Sequence, residues 1–301
     1  MHALSLSLAR ATHTHTLPVL PMACPGLPVS VEVWSATLRA GGALGKGVGM
    51  DKKPILQVNG LSKAFGGVKA VLDVSFDLFK GEILGIIGPN GAGKTTLVNL
   101  ITGFVKPNAG SVLFKGKNIK GFQPHKIANL GLVRTFQVMR PYHSLAAFKN
   151  LIVPLNSPRV RRTSEGKLGD RDSVAIDILE EIGFERDARV PYKTAGSLPL
   201  GYLKRLELAR CIALRPEVIL CDEVFSGLSM SEIASMIPLL EKLQMEGITI
   251  MMIEHRLREL FRLADRVAVI NFGRKIAEGI PKEVMEKEEV KVAYLGTGKR
   301  K

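Results

Sequence analysis

Short apolar runs alternate with polar-faced stretches along most of the chain from Ile55 onward. Leu56 to Leu61 and Val71 to Leu78 have the composition of β-strands, and a turn at Lys80-Gly81 follows the second. Glu82 to Ile87 is a compact apolar strand that runs into a glycine-rich loop, and Thr95 to Thr102 has helical character. After Gln137 the pattern is mostly helical to about Gly196, interrupted by the polar segment Ser157 to Asp172. Val218 to Cys221 and Ile248 to Ile253 read as further buried strands, Leu257 to Leu263 as an amphipathic helix, and Arg266 to Phe272 as a strand turning at Gly273. Strand–helix alternation of this kind predicts a parallel α/β core, with a helical subdomain inserted between its halves.

The first 49 residues break the pattern. They carry one acidic residue, Glu32, a His-Thr-His-Thr run and no sustained periodicity. They lack the basic start, clean apolar block and cleavage site of a signal peptide, whereas a transit peptide remains open on composition. The segment is read as an upstream extension, with Met50 opening the working protein. The 301 residues suffice for one large α/β domain or two small ones, and 46% apolar with 23% charged residues excludes wholesale disorder. No stretch reaches about 18 uninterrupted apolar residues, so a membrane role must come through a partner. The formal net charge of +14 suits nucleic acid, an anionic lipid surface or a phosphorylated ligand. Its basic clusters, Arg159, Arg161 and Arg162 and then Lys299 to Lys301, do not interleave with aromatics as a nucleic-acid face does, and read as solvated surface or a juxtamembrane patch. Cys24, Cys211 and Cys221 lack metal or disulfide spacing, which fits a reducing, cytoplasmic compartment.

The candidate chemistry starts at Gly88, Pro89, Asn90, Gly91, Ala92, Gly93, Lys94, Thr95 and Thr96, a phosphate loop with a strand before it and a helix after it. Glycines let the loop curl so that several backbone N–H groups face one anion, and the following helix adds its positive end. Lys94 brings a full charge to the terminal phosphates, and the Thr95 hydroxyl can ligate Mg²⁺. The loop predicts nucleoside triphosphate binding without choosing among GTPase, kinase and transport ATPase. Val218 to Glu223 is an apolar strand ending in two carboxylates, where ligand chemistry collects in such sheets. Asp222 suits the Mg²⁺ shell, and Glu223 can accept a proton from an attacking water. His255 lies just past another strand and could reach a γ-phosphate, but neither it nor Gln137 carries an assignment alone.

Taken in order, the phosphate loop, Gln137, the stretch Leu198-Pro-Leu-Gly201 to Arg210, Asp222-Glu223 and His255 resemble the ATP-binding cassette of ABC transporters. Phe65-Gly-Gly-Val-Lys-Ala-Val71, Leu100 to Phe104, Gly131 to Gln137 and Ala293-Tyr-Leu-Gly296 narrow the resemblance to ATPase subunits of branched-chain amino acid importers, a group associated also with urea and aromatic acids. The resemblance implies a RecA-like parallel core with an N-terminal antiparallel β subdomain, spanning 55–296, a helical subdomain over about 138–210 and a basic tail at 297–301. It implies that Phe65 stacks on adenine, that Gln137 contacts Mg²⁺ and reports nucleotide state, and that Leu198 to Tyr202, with Gly201, reaches the γ-phosphate held by a second cassette. Ser226 to Ser229 stands at the dimer-contact loop. ATP and Mg²⁺ are the implied ligands, with Glu223, His255 and Lys94 catalytic. The implied partners are permease subunits, a second ABC ATPase and, indirectly, a solute-binding protein at the cytoplasmic face of the cell membrane, with no nucleic acid. Three positions depart from the family pattern. Pro199 replaces the signature serine and lacks both a hydroxyl and an N–H, Val224 replaces a proline, and Ser229 replaces an aspartate. Pro199 and Ser229 keep open a weakly hydrolysing regulatory module. A nucleic-acid-acting ABC ATPase is disfavoured, because the chain has neither twin cassettes nor a long coiled-coil insertion.

Overall fold

The computed structural model describes residues 53–295, so the expectations for residues 1–49, Cys24 and 297–301 lie outside the described residues. The expected strand Glu82 to Ile87 is β3 (Ile83–Ile87), and the other central strands are β7 (Val218–Asp222) and β8 (Thr249–Ile253). All residues of the three are buried, as in parallel strands covered on both faces. Together with β6 (Leu132–Arg134), β9 (Arg266–Asn271) and β10 (Arg274–Gly279) they form a six-stranded sheet in the order β10-β9-β3-β8-β7-β6. Its pairings are parallel except at the β9–β10 edge. β1 (Pro54–Phe65) and β2 (Val68–Phe79) are longer than the apolar runs suggest, because pairing carries them across exposed polar positions. With β4 (Ala109–Phe114) and β5 (Lys117–Asn118) they make an antiparallel sheet in the order β2-β1-β4-β5.

Two apolar cores flank the central sheet, and the period-2 alternation of side chains along each strand sorts residues between them. Leu84, Ile86, Leu220 and Met251 face a core shared with the antiparallel sheet, α1 (Lys94–Ile101) and α2 (Pro124–Leu130). Ile83, Ile87, Ile219, Cys221 and Met252 face the other, shared with the helices inserted between β6 and β7. These are α3 (Ile152–Leu155), α4 (Pro158–Thr163), α5 (Arg171–Glu181) and α6 (Leu200–Ile212). Cys211 also packs in this core, so both cysteines among the described residues are buried thiols.

Two expectations need correction here. The polar interruption after Ser157 is in part helical. Ser157 caps α4 by accepting from the Val160 N–H at 3.3 Å, and Pro158 stands in the first turn, where its missing N–H costs nothing. Arg159 is not part of a solvated basic cluster. Its guanidinium is buried and donates to the carbonyls of Leu130, Leu214 and Arg215 and to Glu217, tying α4 to the end of α6. A planar five-donor group satisfies that many carbonyls at once, which repays its burial. The chain after β7 forms α7 (Met230–Met245), then α8 (Leu257–Leu263) between β8 and β9, and the last helices among the described residues are α9 (Pro281–Glu286) and α10 (Glu288–Leu295). Ser229, where the resemblance leads one to expect aspartate, opens α7 through a capping box with Glu232.

Candidate active site

The phosphate loop joins β3 to α1 at the carboxyl end of the sheet, and two of its glycines are required by close backbone approach. Gly88 has φ 152, and a Cβ there would lie 1.9 Å from the Ile270 carbonyl oxygen. Gly93 has φ 102, and its Cβ would stand 2.2 Å from the Ala70 carbonyl oxygen. Lys94, the first residue of α1, is buried, and its ammonium folds back to donate to Gly88 O at 2.7 Å and Pro89 O at 2.9 Å. Burial lowers its pKa, with Glu223 and then Asp222 opposing. The side chain therefore bridges the loop's own carbonyls at the edge facing both carboxylates. Thr95 is exposed at the helix start.

Asp222 closes β7 and is 1% exposed. Its Oδ2 accepts from an Arg134 guanidinium N–H at 2.8 Å, and its backbone N–H donates to Thr135 Oγ1 at 3.1 Å. Burial raises its pKa, and the Arg134 charge opposes the rise. Among the described residues, Asp222 Oδ1 is a buried oxygen without a hydrogen-bond partner, which is the position a cation or its water shell would satisfy. No group of three or more His, Cys, Asp or Glu side chains among the described residues could hold a metal alone. A hard cation at this position would have to draw on hydroxyl, amide, water and phosphate oxygens, a donor set that fits Mg²⁺.

Glu223 follows at φ 53, a left-handed conformation uncommon for a residue with a Cβ. Its Oε2 accepts from the Gln137 amide at 2.8 Å, and its Oε1 lies 3.0 Å from His255 Nε2. Gln137, Glu223 and His255, which come from three separate strand ends, thus converge beside Lys94 and Asp222. Phe65, Leu198 and Gly201 stand apart, and no hydrogen bond or ring contact links them to this cluster among the described residues. Phe65 ends β1 half exposed, with Lys63 Nζ 5.1 Å from its ring centroid. Leu198 is buried, Pro199 caps α6 without a side-chain bond, and the Glu232 carboxylate lies against Gly201. Hydrogen bonds from Ser229 hold the Glu232 carboxyl below its usual range.

Three side chains that brace this cluster escape the sequence reading. Arg134 anchors Asp222 and also donates to Asn99 of α1 at 2.6 Å. Lys204, buried on α6, donates to the Glu223 carbonyl at 3.0 Å. Glu254, 3% exposed at the end of β8, accepts from the Phe225 N–H at 3.0 Å. For Arg134 the only local signal is its place two residues before Phe136 in the motif ending at Gln137, and the other two carry none.

Burial pushes the Glu254 carboxyl up to about 7, opposed by the Phe225 N–H, with Glu223 adding to the rise and Lys204 countering it. A carboxyl raised in the folded state holds its proton more tightly there than in the unfolded chain. Its contribution to stability is complete below the unfolded value of 4.5 and is lost as pH rises through about 7. Relative to a Glu254→Gln chain, which cannot titrate there, the wild type should lose about 2–3 kcal/mol of unfolding free energy between about pH 5 and about pH 8. Urea unfolding of both chains at the two pH values measures this, and parallel pH dependence of the two would refute it.

A family model described as ABC transporter matches residues 71–226. The chain is 37% identical over 254 residues to the high-affinity branched-chain amino acid transport ATP-binding protein BraF of Pseudomonas aeruginosa, covering 81% of this chain and 98% of BraF. It is also 37% identical over 258 residues to the high-affinity branched-chain amino acid transport ATP-binding protein LivG of Escherichia coli K12, covering 81% of this chain and 98% of LivG. Among solved structures, the ADP conformation of an ATP-binding cassette of an ABC transporter is similar with a TM-score of 0.70 and 32% identity, covering 81% of this chain and all of the other.

Proposed function

Because this chain belongs to the ABC transporter family of ATP-binding subunits, we propose that it is the ATP-hydrolysing subunit that powers an importer of branched-chain amino acids. One observation carries the chemistry: the Glu223 carboxylate is held between Gln137 and His255 at the edge of the phosphate loop, beside Asp222 and Lys94. The loop from Gly88 to Gly93 presents backbone N–H groups, and α1 its positive end, to the triphosphate. Lys94 supplies the full charge at the β- and γ-phosphates, and Phe65 supplies an exposed ring for adenine. Thr95, Gln137 and Asp222 are the residues that would hold magnesium, which neutralises charge on the transferred phosphoryl group. Glu223 orients water and takes its proton, and His255, at the far side of that carboxylate, donates to charge developing on the phosphoryl oxygens.

Two such subunits close face to face in this reading, with Gly201 and its neighbours completing the partner's site. ATP stabilises the closed pair only through contacts the open pair lacks, so its binding shifts the population. Pro199 removes the usual side-chain donor, leaving the backbone N–H groups of α6 to meet the phosphate. Val138, Tyr142 and Leu145, exposed on the segment after Gln137, offer apolar contact to permease loops at the cytoplasmic face of the membrane. No helix among the described residues is long and apolar enough to cross a membrane.

The test is ATP hydrolysis by the full chain reconstituted with its permease in vesicles. Turnover should rise several-fold when a solute-binding protein loaded with leucine, isoleucine or valine is added. A rise only with urea or an aromatic acid reassigns the solute. ATP binding with turnover indifferent to the permease supports instead the weakly hydrolysing module that Pro199 allows.

A further inference from the structure

The carboxylate that activates water is the side chain of a residue in a strained turn, so something must hold its backbone. Glu223 leaves β7 at φ 53, and its N–H donates to the Ile253 carbonyl at 2.9 Å. Backbone in this region persists only where the surroundings over-determine it. Two buried ionisable side chains grip the turn on either side. Lys204 Nζ donates to the Glu223 carbonyl at 3.0 Å, from the second turn of α6. The Glu254 carboxylate accepts from the Phe225 N–H at 3.0 Å, two residues beyond the base. Glu254 also joins Ile253, which receives the Glu223 N–H, to His255, whose ring touches the Glu223 carboxylate. Both side chains are almost wholly buried, Lys204 at 6% and Glu254 at 3% exposure. Burying two ionisable groups is costly unless they are paired and hydrogen-bonded. Neither side chain hydrogen-bonds a phosphate-loop residue among the described residues; each bonds instead to the turn after β7.

We propose that Lys204 and Glu254 are positioning residues for the catalytic carboxylate, acting through the Glu223 carbonyl and the Phe225 N–H to aim Glu223 at the attacking water. Because Lys204 rides on α6, whose first turn carries the Gly201 proposed above to complete the partner's site, a shift of that helix on closure would move the carbonyl of the base directly. The two subunits' closure and the aim of the base are then mechanically one event, without any side-chain donor at Pro199. The burial that lowers the Lys204 pKa is opposed first by Glu254 and then by Glu223, so the two grips are also coupled electrostatically.

This inference rests on the reading of Glu223 as the base, and the experiment separates the two. Steady-state ATP hydrolysis is measured on the full chain carrying Lys204→Met, Glu254→Leu, Glu254→Gln or Glu223→Gln, and on the Lys204→Met/Glu223→Gln double variant, with ATP affinity and thermal midpoint recorded for each. Lys204→Met and Glu254→Leu should lower kcat by about 10- to 100-fold with KM for ATP within about twofold, as expected when only the transition state is affected. Glu254→Gln keeps an acceptor for the Phe225 N–H and should recover kcat to within about threefold of wild type. In the double variant, Lys204→Met should add no further loss, since residues acting through one group are non-additive. A Glu254→Gln chain as slow as Glu254→Leu, a change confined to KM, or full additivity in the double variant overturns the positioning role. If Lys204→Met and Glu254→Leu turn over normally while Glu223→Gln does not, the grip is wrong and the base stands. If Glu223→Gln itself turns over normally, the base assignment fails first. A variant with a collapsed midpoint is judged by the Glu254→Gln rescue and by the retained ATP affinity of the others.

Discussion

Glu223→Gln should cut ATP turnover by the factor typical of a lost general base, on the order of 10²–10⁴-fold, with ATP affinity within about threefold of wild type. The substitution is nearly isosteric, and the surroundings dictate how the new amide sits. The Gln137 amide donates at 2.8 Å to one carboxylate oxygen, so the amide carbonyl must face it. The new NH₂ then points at His255 Nε2, which accepts when the imidazole is neutral with its proton on the other nitrogen. The architecture therefore survives while the proton acceptor disappears. Affinity should be largely spared because, in the proposed reading, the triphosphate is held by the loop, Lys94 and the start of α1, none of which hydrogen-bonds the Glu223 side chain. With chemistry stopped and binding intact, the ATP-bound closed pair should outlive its wild-type lifetime. Size-exclusion chromatography with ATP, alongside a phosphate-release assay, measures both effects. Turnover near wild type would remove Glu223 from the chemistry, and loss of binding would make it structural.

Much of the fold can be read from sequence where burial produces long apolar runs. β3, β7 and β8 are buried on both faces, and their residues alternate between two cores, so each reads as an unbroken apolar strand. α8 shows its period without distraction, and its bounds agree with the pattern from Leu257 to Leu263. The pieces that escape are short or internally contradictory. β5 has two residues and β6 three, too few to show a period. α7 carries Pro238 in its interior, and proline usually ends a helix. Edge strand β10 is mostly half-exposed and pairs antiparallel, so its pattern is weak.

Site residues divide along the same physical line. Asp222 and Glu223 sit where a strand meets a loop and Lys94 where the loop meets a helix, and local chemistry identifies them. Their supporting residues become visible only through topology. The Gln137–Glu223 bond spans 86 positions and the His255–Glu223 contact 32, because β7 lies between β6 and β8 in space. Lys204 reads as an ordinary helix-surface lysine, and only the packing of α6 against the sheet buries it. Glu254 reads as a strand-end acid until the turn after β7 is seen to fold over it.

Lys94→Met should act on binding rather than on chemistry, which sets it apart from Glu223→Gln. Methionine matches the length of the lysine stem but has no donor, so the site loses a buried cation and the loop loses two bonds of its own. Gly88 O and Pro89 O, held at 2.7 and 2.9 Å by the ammonium, are left without that partner. Removing a charged hydrogen-bond partner costs roughly 1.5–3 kcal/mol per bond, and more where a buried group is stranded. ATP affinity should therefore fall at least about 100-fold, the equivalent of about 2.7 kcal/mol. Asp222 and Glu223 would also lose one of the charges that, with Arg134 and Lys204, offset their mutual repulsion, so the ligand-free chain should melt a few degrees lower. The decisive reading is the rise in melting temperature on adding ATP with magnesium, which reports occupancy of the folded state by mass action. Wild type and Glu223→Gln should both show the rise, and Lys94→Met should lose it at ligand concentrations that saturate the other two. If Lys94→Met keeps the full rise while turnover alone falls, Lys94 acts only in the transition state, and triphosphate affinity rests on the loop's N–H groups and the α1 terminus.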